Sequence, residues 1–299
     1  MNDHAEIVRP LVELEPQFEF FVGIDSDGCV FDTMEIKHKE CFIPNIIKHW
    51  GLQPVSKYAR EAAEFVNLYS KWRGTNRWPA LIKVFDLLRD RPEVQRRGAT
   101  IPETPKIREF IASDRPKSND SLAELVAETQ DPELVKALRW SRAVNATIAD
   151  MVHGVAPFPY ARESIELISR SADAIVVSQT PVEALVREWK EHDIDKYVEV
   201  IAGQELGTKA EHLRLASEGK YAPGQKFMIG DAPGDLQAAR ANGAFFFPVN
   251  PGHEEESWER FYKEAFERFL SGTYGGEYEA ALISDFEKAL PEIPPWERE

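Results

Sequence analysis

Phe20-Phe21-Val22-Gly23-Ile24-Asp25-Ser26-Asp27-Gly28-Cys29-Val30-Phe31-Asp32 is the stretch that decides the fold. A short apolar run, rich in β-formers, stops at a polar break that contains a glycine. It reads as a buried strand running into a loop. Two carboxylates, Asp25 and Asp27, stand two residues apart where that strand ends. Open α/β sheets bind ligands at the carboxyl ends of their strands. Acids set together there repel each other unless a cation or a proton divides their roles. The combination points to metal-assisted chemistry on an anionic substrate.

Downstream of this strand the rhythm is helical for about 120 residues. Apolar residues recur at three-to-four spacing over 32–50, 56–69 and 76–89, and Leu122, Leu125 and Val126 mark one face of a helix over 119–129. Asp131-Pro132 supplies an N-cap and a proline at the first helical position, opening a long helix towards His153. The proline- and charge-rich stretch 90–119 reads as a long ordered loop holding one short helix at 105–112. From about Val155 helices alternate with strands at 174–177, 198–202, 226–229 and 244–249, which implies a parallel sheet with right-handed crossovers. The expected architecture is an α/β, Rossmann-like core (1–32 and 155–299, with a helical C-terminal extension from about 250) interrupted by an all-helical domain at 33–154.

Composition narrows the function. With 299 residues, 43% of them hydrophobic and 29% charged, the chain is of ordinary globular character and can bury a sizeable core. No apolar run approaches the roughly 20 residues of a membrane helix. The start of the chain lacks the basic segment and apolar core of a signal peptide, so a cytoplasmic location is expected. A net charge of −15 argues against a nucleic-acid or anionic-membrane partner. Residues 250–299 carry 13 acids and 5 bases, read as a solvated helical face. The two cysteines, Cys29 and Cys41, lack metal-ligand spacing and read as reduced thiols.

Three further polar features fall where core strands end or the next helix begins. Val176-Val177-Ser178-Gln179-Thr180-Pro181 delivers a serine, and Thr180 with Glu183 fits a capping box that leaves Ser178 and nearby N–H groups for an anion. Taken alone, Ser178 is a routine turn serine. In Gly207-Thr208-Lys209-Ala210-Glu211 a second capping box puts Lys209 at the first helical position, pointing towards the same end of the sheet. Phe227-Met228-Ile229-Gly230-Asp231-Ala232-Pro233-Gly234-Asp235 again ends a strand in acids, here four residues apart. Either aspartate could simply cap a helix. Carboxylates with water and phosphate oxygens suit Mg²⁺, and an EF-hand is excluded because its third ligand, glycine and distal glutamate are missing.

Together these motifs resemble the haloacid dehalogenase superfamily. Asp25-Ser26-Asp27-Gly28 matches the family's DxDG motif, Ser178 its second motif, Lys209 its third, and Gly230-Asp231 with Asp235 the GDxxxD form of its fourth. The match covers roughly residues 20–32 and 155–249, and its weight lies in the order and position of the four motifs. The helical block between the first two motifs resembles the family's C1 cap, and the stretch between the second and third is too short for a C2 cap.

The resemblance implies that Asp25 attacks phosphorus to form an aspartyl phosphate, while Asp27 acts as general acid and then as general base. It implies Mg²⁺ held by Asp25, Asp231 and the Asp27 carbonyl, with Asp235 holding a metal-bound water or coordinating directly. Lys209 would offset negative charge and Ser178, with Gln179 beside it, would bind phosphoryl oxygens. Asp27 argues against a dehalogenase or a phosphonoacetaldehyde hydrolase, and missing membrane helices argue against a P-type ATPase. The leading expectation is a Mg²⁺-dependent phosphatase for a small phosphorylated metabolite such as a sugar phosphate or a phosphoglycolate-like acid. A phosphomutase and a non-catalytic binding module are the alternatives.

Lys71-Trp72-Arg73-Gly74-Thr75-Asn76-Arg77-Trp78 loosely resembles the substrate loop of β-phosphoglucomutase-like caps, so Arg73 or Arg77 could hold a distal anionic group. The competing reading makes the tryptophans core and the arginines surface charges. Aromatic and basic residues interleaved in this way can also bind single-stranded nucleic acid, which the net charge disfavours. A cap this large, closing over a site, would exclude bulk water and favour small metabolites.

Overall fold

Five strands, β1 (Phe20–Ile24), β2 (Ala172–Val177), β3 (Val200–Ala202), β4 (Lys226–Gly230) and β5 (Phe245–Pro248), form one parallel sheet in the order β3-β2-β1-β4-β5. The computed structural model describes residues 3–297; residues 1–2 and 298–299 of the expected core lie outside them. The strand order reverses at β1, whose neighbours are β2 on one side and β4 on the other. Such a reversal opens a crevice at the carboxyl ends of the strands, because the flanking connections depart in opposite directions.

Register fixes what reaches that crevice. Ile24 pairs with both Val176 and Ile229, so Asp25, Ser178 and Asp231 each leave the sheet within one residue of the same level. The Asp25 N–H still donates to the Ile229 carbonyl (3.0 Å), which carries the ladder up to the first acid.

Period-two alternation sends strand side chains to two cores. Val22, Ile24, Ala174, Val176, Phe227 and Ile229 face one, shared with Trp189, Trp258, Phe261 and Phe269. Phe21, Ile175, Val177, Met228 and Phe246 face the other, with Leu213, Leu236 and Phe286. Covered on both faces, β1 is uniformly apolar rather than amphipathic. Gly23 is required by a close approach: a Cβ there would lie 2.6 Å from Leu213 Cδ2. Helix Lys209–Ser217 therefore presses directly on the central strand.

The chain divides into two compact units, residues 1–33 with 154–290, and residues 34–153 with 291–299. All regular elements of the second unit are helical. Its core joins Trp50, Phe85, Trp78, Phe110 and Trp140, with Trp78 and Trp140 edge-to-face at 5.5 Å. Sequence boundaries differ from the observed ones by a few residues, and three differences are larger. The segment expected as one helix over 32–50 contains a π-helical stretch at Lys37–Phe42. A second short helix, Pro92–Arg96, breaks the stretch read as loop. Short helices Asp3–Ile7 and Arg9–Val12 precede β1, where the sequence assigns no element.

Residues 291–297 lie with the helical unit, although the sequence reading gives them to the core. The Lys71 N–H donates to the Pro291 carbonyl (3.4 Å), Lys71 pairs with Glu292, and the Trp296 ring stacks under the Arg91 guanidinium at 4.5 Å and against Phe65 at 5.7 Å. Trp296→Ala is expected to lower the stability of the helical unit by about 1–2 kcal/mol, from the lost cation–π and edge-to-face contacts. Urea unfolding monitors this directly, and an unchanged midpoint would contradict the assigned role of the tail.

Candidate active site

Three carboxylates meet at the carboxyl end of the sheet. Asp25 follows β1, Asp231 follows β4, and Asp235 sits in the first turn of helix Pro233–Ala241. Each offers a ligand oxygen within 4.8 Å of the others, and they are only 4%, 2% and 0% exposed. Lys209 reaches into the group from the first position of its helix, where Thr208 and Glu211 form the expected capping box. Its ammonium donates to Asp25 Oδ2 (2.7 Å) and Asp235 Oδ1 (2.6 Å).

The other oxygens of Asp25 and Asp235 are also held. The Ser26 N–H donates to Asp25 Oδ1 (2.8 Å), and the N–H groups of Asp231 and Ala232 donate to Asp235 Oδ2 (3.2 and 3.0 Å). Asp235 thus satisfies free N–H groups at its own helix start while holding the lysine. Gly230 permits this, since a Cβ there would lie 2.4 Å from Asp235 Cβ.

The electrostatics are unbalanced. Three acids share one ammonium, which leaves an excess of negative charge away from water. Burial pushes the Asp25 carboxyl well above the usual carboxylate range, and Asp235 and Asp231 push it further while Lys209 opposes. Burial works against the charge on Lys209, yet Asp235, Asp25 and Asp231 outweigh it and keep the ammonium protonated well beyond its ordinary range. Oxygen-only donors at this spacing, with uncompensated charge, fit a hard divalent cation such as Mg²⁺.

Asp27 stands apart from this trio in its bonding. Thr33 Oγ1 donates to its Oδ1 (2.5 Å) and Thr180 Oγ1 to its Oδ2 (2.6 Å). Between the two acids, Ser26 turns the other way and accepts from Trp189 Nε1 (3.0 Å). Asp27 is therefore held by hydroxyls, which can donate to a carboxylate or accept from a carboxylic acid. The sequence reading missed both threonines. It gave Thr180 to a capping box with Glu183, but helix Val182–Glu191 has no side-chain cap, and the Val182 N–H donates to Glu205 (3.0 Å) instead. The hydroxyl is used by Asp27, an acceptor that local spacing cannot reveal.

Ser178 is buried at the end of β2, its N–H donating to the Ala202 carbonyl (3.0 Å) and its Oγ accepting from the Thr180 N–H (3.2 Å). The hydroxyl proton remains for an anion. Gln179 is engaged elsewhere: its amide donates to the Gly207 carbonyl (2.9 Å), latching the loop that leads into Lys209. Arg73 and Arg77 belong to the helical unit and are not the surface charges of the competing reading. Arg73 is buried and donates to the Leu68 carbonyl (2.9 Å). Arg77 donates to Ser141 Oγ (2.8 Å) and Asn145 Oδ1 (2.7 Å) and lies over the Phe42 ring, and its burial lowers its pKa to about 10. Trp78 is core, and Trp72 packs against it. His212, one turn beyond Lys209, is fully buried and held neutral, burial and then Lys209 pulling its pKa down to about 4.

Solved structures similar to this chain include hydrolases of the haloacid dehalogenase superfamily. One is a haloacid dehalogenase-like hydrolase from Streptococcus pneumoniae, with 16% identity over 82% of this chain and 91% of that one and a TM-score of 0.43. Another is a subfamily IA, variant 1 hydrolase from Geobacter sulfurreducens, with 15% identity over 78% and 88% of the two chains and a TM-score of 0.40. CbbY from Rhodobacter sphaeroides, solved in complex with phosphate, shares 17% identity over 79% and 87%, with a TM-score of 0.42. No protein-family profile and no curated protein matches the chain.

Gly230→Ala tests how closely the acids are packed. The added methyl must displace Asp235, so a loss of about 1–3 kcal/mol is expected from overpacking alone. Thermal unfolding measures it, and a variant as stable as the parent would show that the cluster has room to spare.

Proposed function

We propose that this chain is a Mg²⁺-dependent phosphatase of the haloacid dehalogenase type that hydrolyses a small phosphorylated metabolite through an aspartyl phosphate. The observation that carries the proposal is the convergence of Asp25, Asp231, Asp235 and Lys209 at the carboxyl end of the central strands. Burial of the acids favours a compact anionic group, such as a terminal phosphoryl, over a bulky polymer.

Asp25 and Asp231 would hold the ion with the main-chain carbonyl of Asp27, and Asp235 would contribute through its engaged oxygens or through a water. When bound, Mg²⁺ supplies charge neutralisation for the phosphoryl oxygens and for the nucleophile. The remaining steps belong to the chain's own residues. An Asp25 oxygen forms a bond to phosphorus as the ester P–O bond breaks, and Asp27 gives its proton to the departing alkoxide. Asp27, now ionised, removes a proton from a water whose oxygen attacks the phosphorus. The acyl-phosphate P–O bond then breaks, freeing inorganic phosphate and Asp25.

Thr33 and Thr180 position Asp27 through both states, donating to the carboxylate and turning to accept when it carries the proton. Lys209 keeps its charge throughout and orients Asp25, and the Ser178 hydroxyl donates to a phosphoryl oxygen.

The test is phosphate release from a broad set of phosphorylated metabolites with Mg²⁺, repeated with Asp25→Asn and with chelator. Turnover is expected on at least one compound, falling by about 10³-fold or more in the variant because Asp25 forms the covalent bond. Isomerisation without phosphate release would identify a mutase, and inactivity on every compound would favour a binding module.

A further inference from the structure

We propose that the helical unit carries a second anion site, for a polyphosphate chain, in the cavity between helices Ile43–Trp50 and Pro132–Met151. The cavity, about 620 Å³, opens widely to solvent, and Lys48, Lys136 and Arg139 on its walls are exposed. Lys48, His49, Lys136 and Arg139 line it, with Pro132 and Val135 as apolar wall, and no acid is among the lining residues. In a chain of net charge −15 such a grouping is against the general trend.

The neighbouring acids are committed elsewhere. Asp131 accepts from the N–H groups of Glu133 and Leu134, and Glu133 accepts from the Ile107 N–H. Among the described residues no carboxylate pairs with Lys48, Lys136 or Arg139, and the only ring contact of the three is Lys136 over Trp50 at 4.8 Å. Lys48 and His49 suit the carboxyl end of their helix. Lys136 and Arg139 instead stand in the second turn of theirs, beyond the turn on which the dipole acts. Helix electrostatics alone therefore does not account for the cluster.

His49 adds an independent observation. Its Nε2 is buried without a hydrogen-bond partner, and its pKa is lowered by burial first and then by Lys48 and Lys136. A bound anion would relieve the repulsion between the cations. Several basic groups lining one cavity suit a ligand that carries several negative charges, as two or three linked phosphoryls do. Tripolyphosphate and the tail of a nucleoside triphosphate share this chemistry.

Calorimetric titration of the full chain with inorganic tripolyphosphate, without divalent metal and at about 0.1 M salt, tests the site without requiring turnover. A parallel arm with ATP separates a nucleotide from the bare chain. One saturable site is expected for at least one of them, weakened by about 10-fold or more in Lys136→Glu with Arg139→Glu, since two attractions become repulsions. Lys57→Glu with Lys106→Glu makes the same change in net charge elsewhere on the helical unit and is expected to bind as the parent does. Circular dichroism checks that each variant is folded. Binding unaffected by the cavity substitutions, binding lost instead in Lys209→Ala, or no saturable heat from either ligand would each overturn the proposal. Because no step is catalytic, these outcomes are independent of whether the acid cluster hydrolyses phosphate.

Discussion

Three buried carboxylates held around one ammonium are the constraint on which the rest of this structure turns. Lys209 bridges Asp25 and Asp235, and its one positive charge faces three carboxylates. Removing charges from water costs several kcal/mol per ion unless partners replace the lost solvation. Main-chain N–H groups of Ser26, Asp231 and Ala232 supply part of that replacement, and a divalent cation would supply the rest. The same excess of charge would give the cluster affinity for a metal and, through it, for a phosphoryl group.

The fold serves this arrangement through register and close packing. Pairing of Ile24 with Val176 and Ile229 levels the ends of three strands, so residues distant in sequence emerge together. Gly23 lets the lysine-bearing helix rest on β1, and Gly230 lets Asp235 fold back under its own helix start. The two threonines that donate to Asp27 set it apart from the acids that share Lys209.

Much of this was legible in the sequence, wherever the signal was local. The β1 run and its two acids, the Thr208–Glu211 capping box and the glycine–aspartate end of β4 each declare themselves within a few residues. The readings that failed needed partners far along the chain. Thr180 fits a capping box by spacing, yet its hydroxyl goes to Asp27, 153 residues earlier. The terminal tryptophan, Trp296, carries no local sign that it belongs with Arg91 and Phe65 in the helical unit. Short helices such as Pro92–Arg96 escape periodicity because one turn holds too few apolar positions to show it.

The claim that the acid cluster is a cation site is tested most directly by calorimetric titration of Mg²⁺ into the full chain, beside the variant Asp231→Asn. The account predicts a single saturable site in the parent and affinity at least about 10-fold weaker in the variant, in keeping with one fewer negative ligand. Absence of saturable binding in the parent, or equal affinity in both proteins, would contradict it.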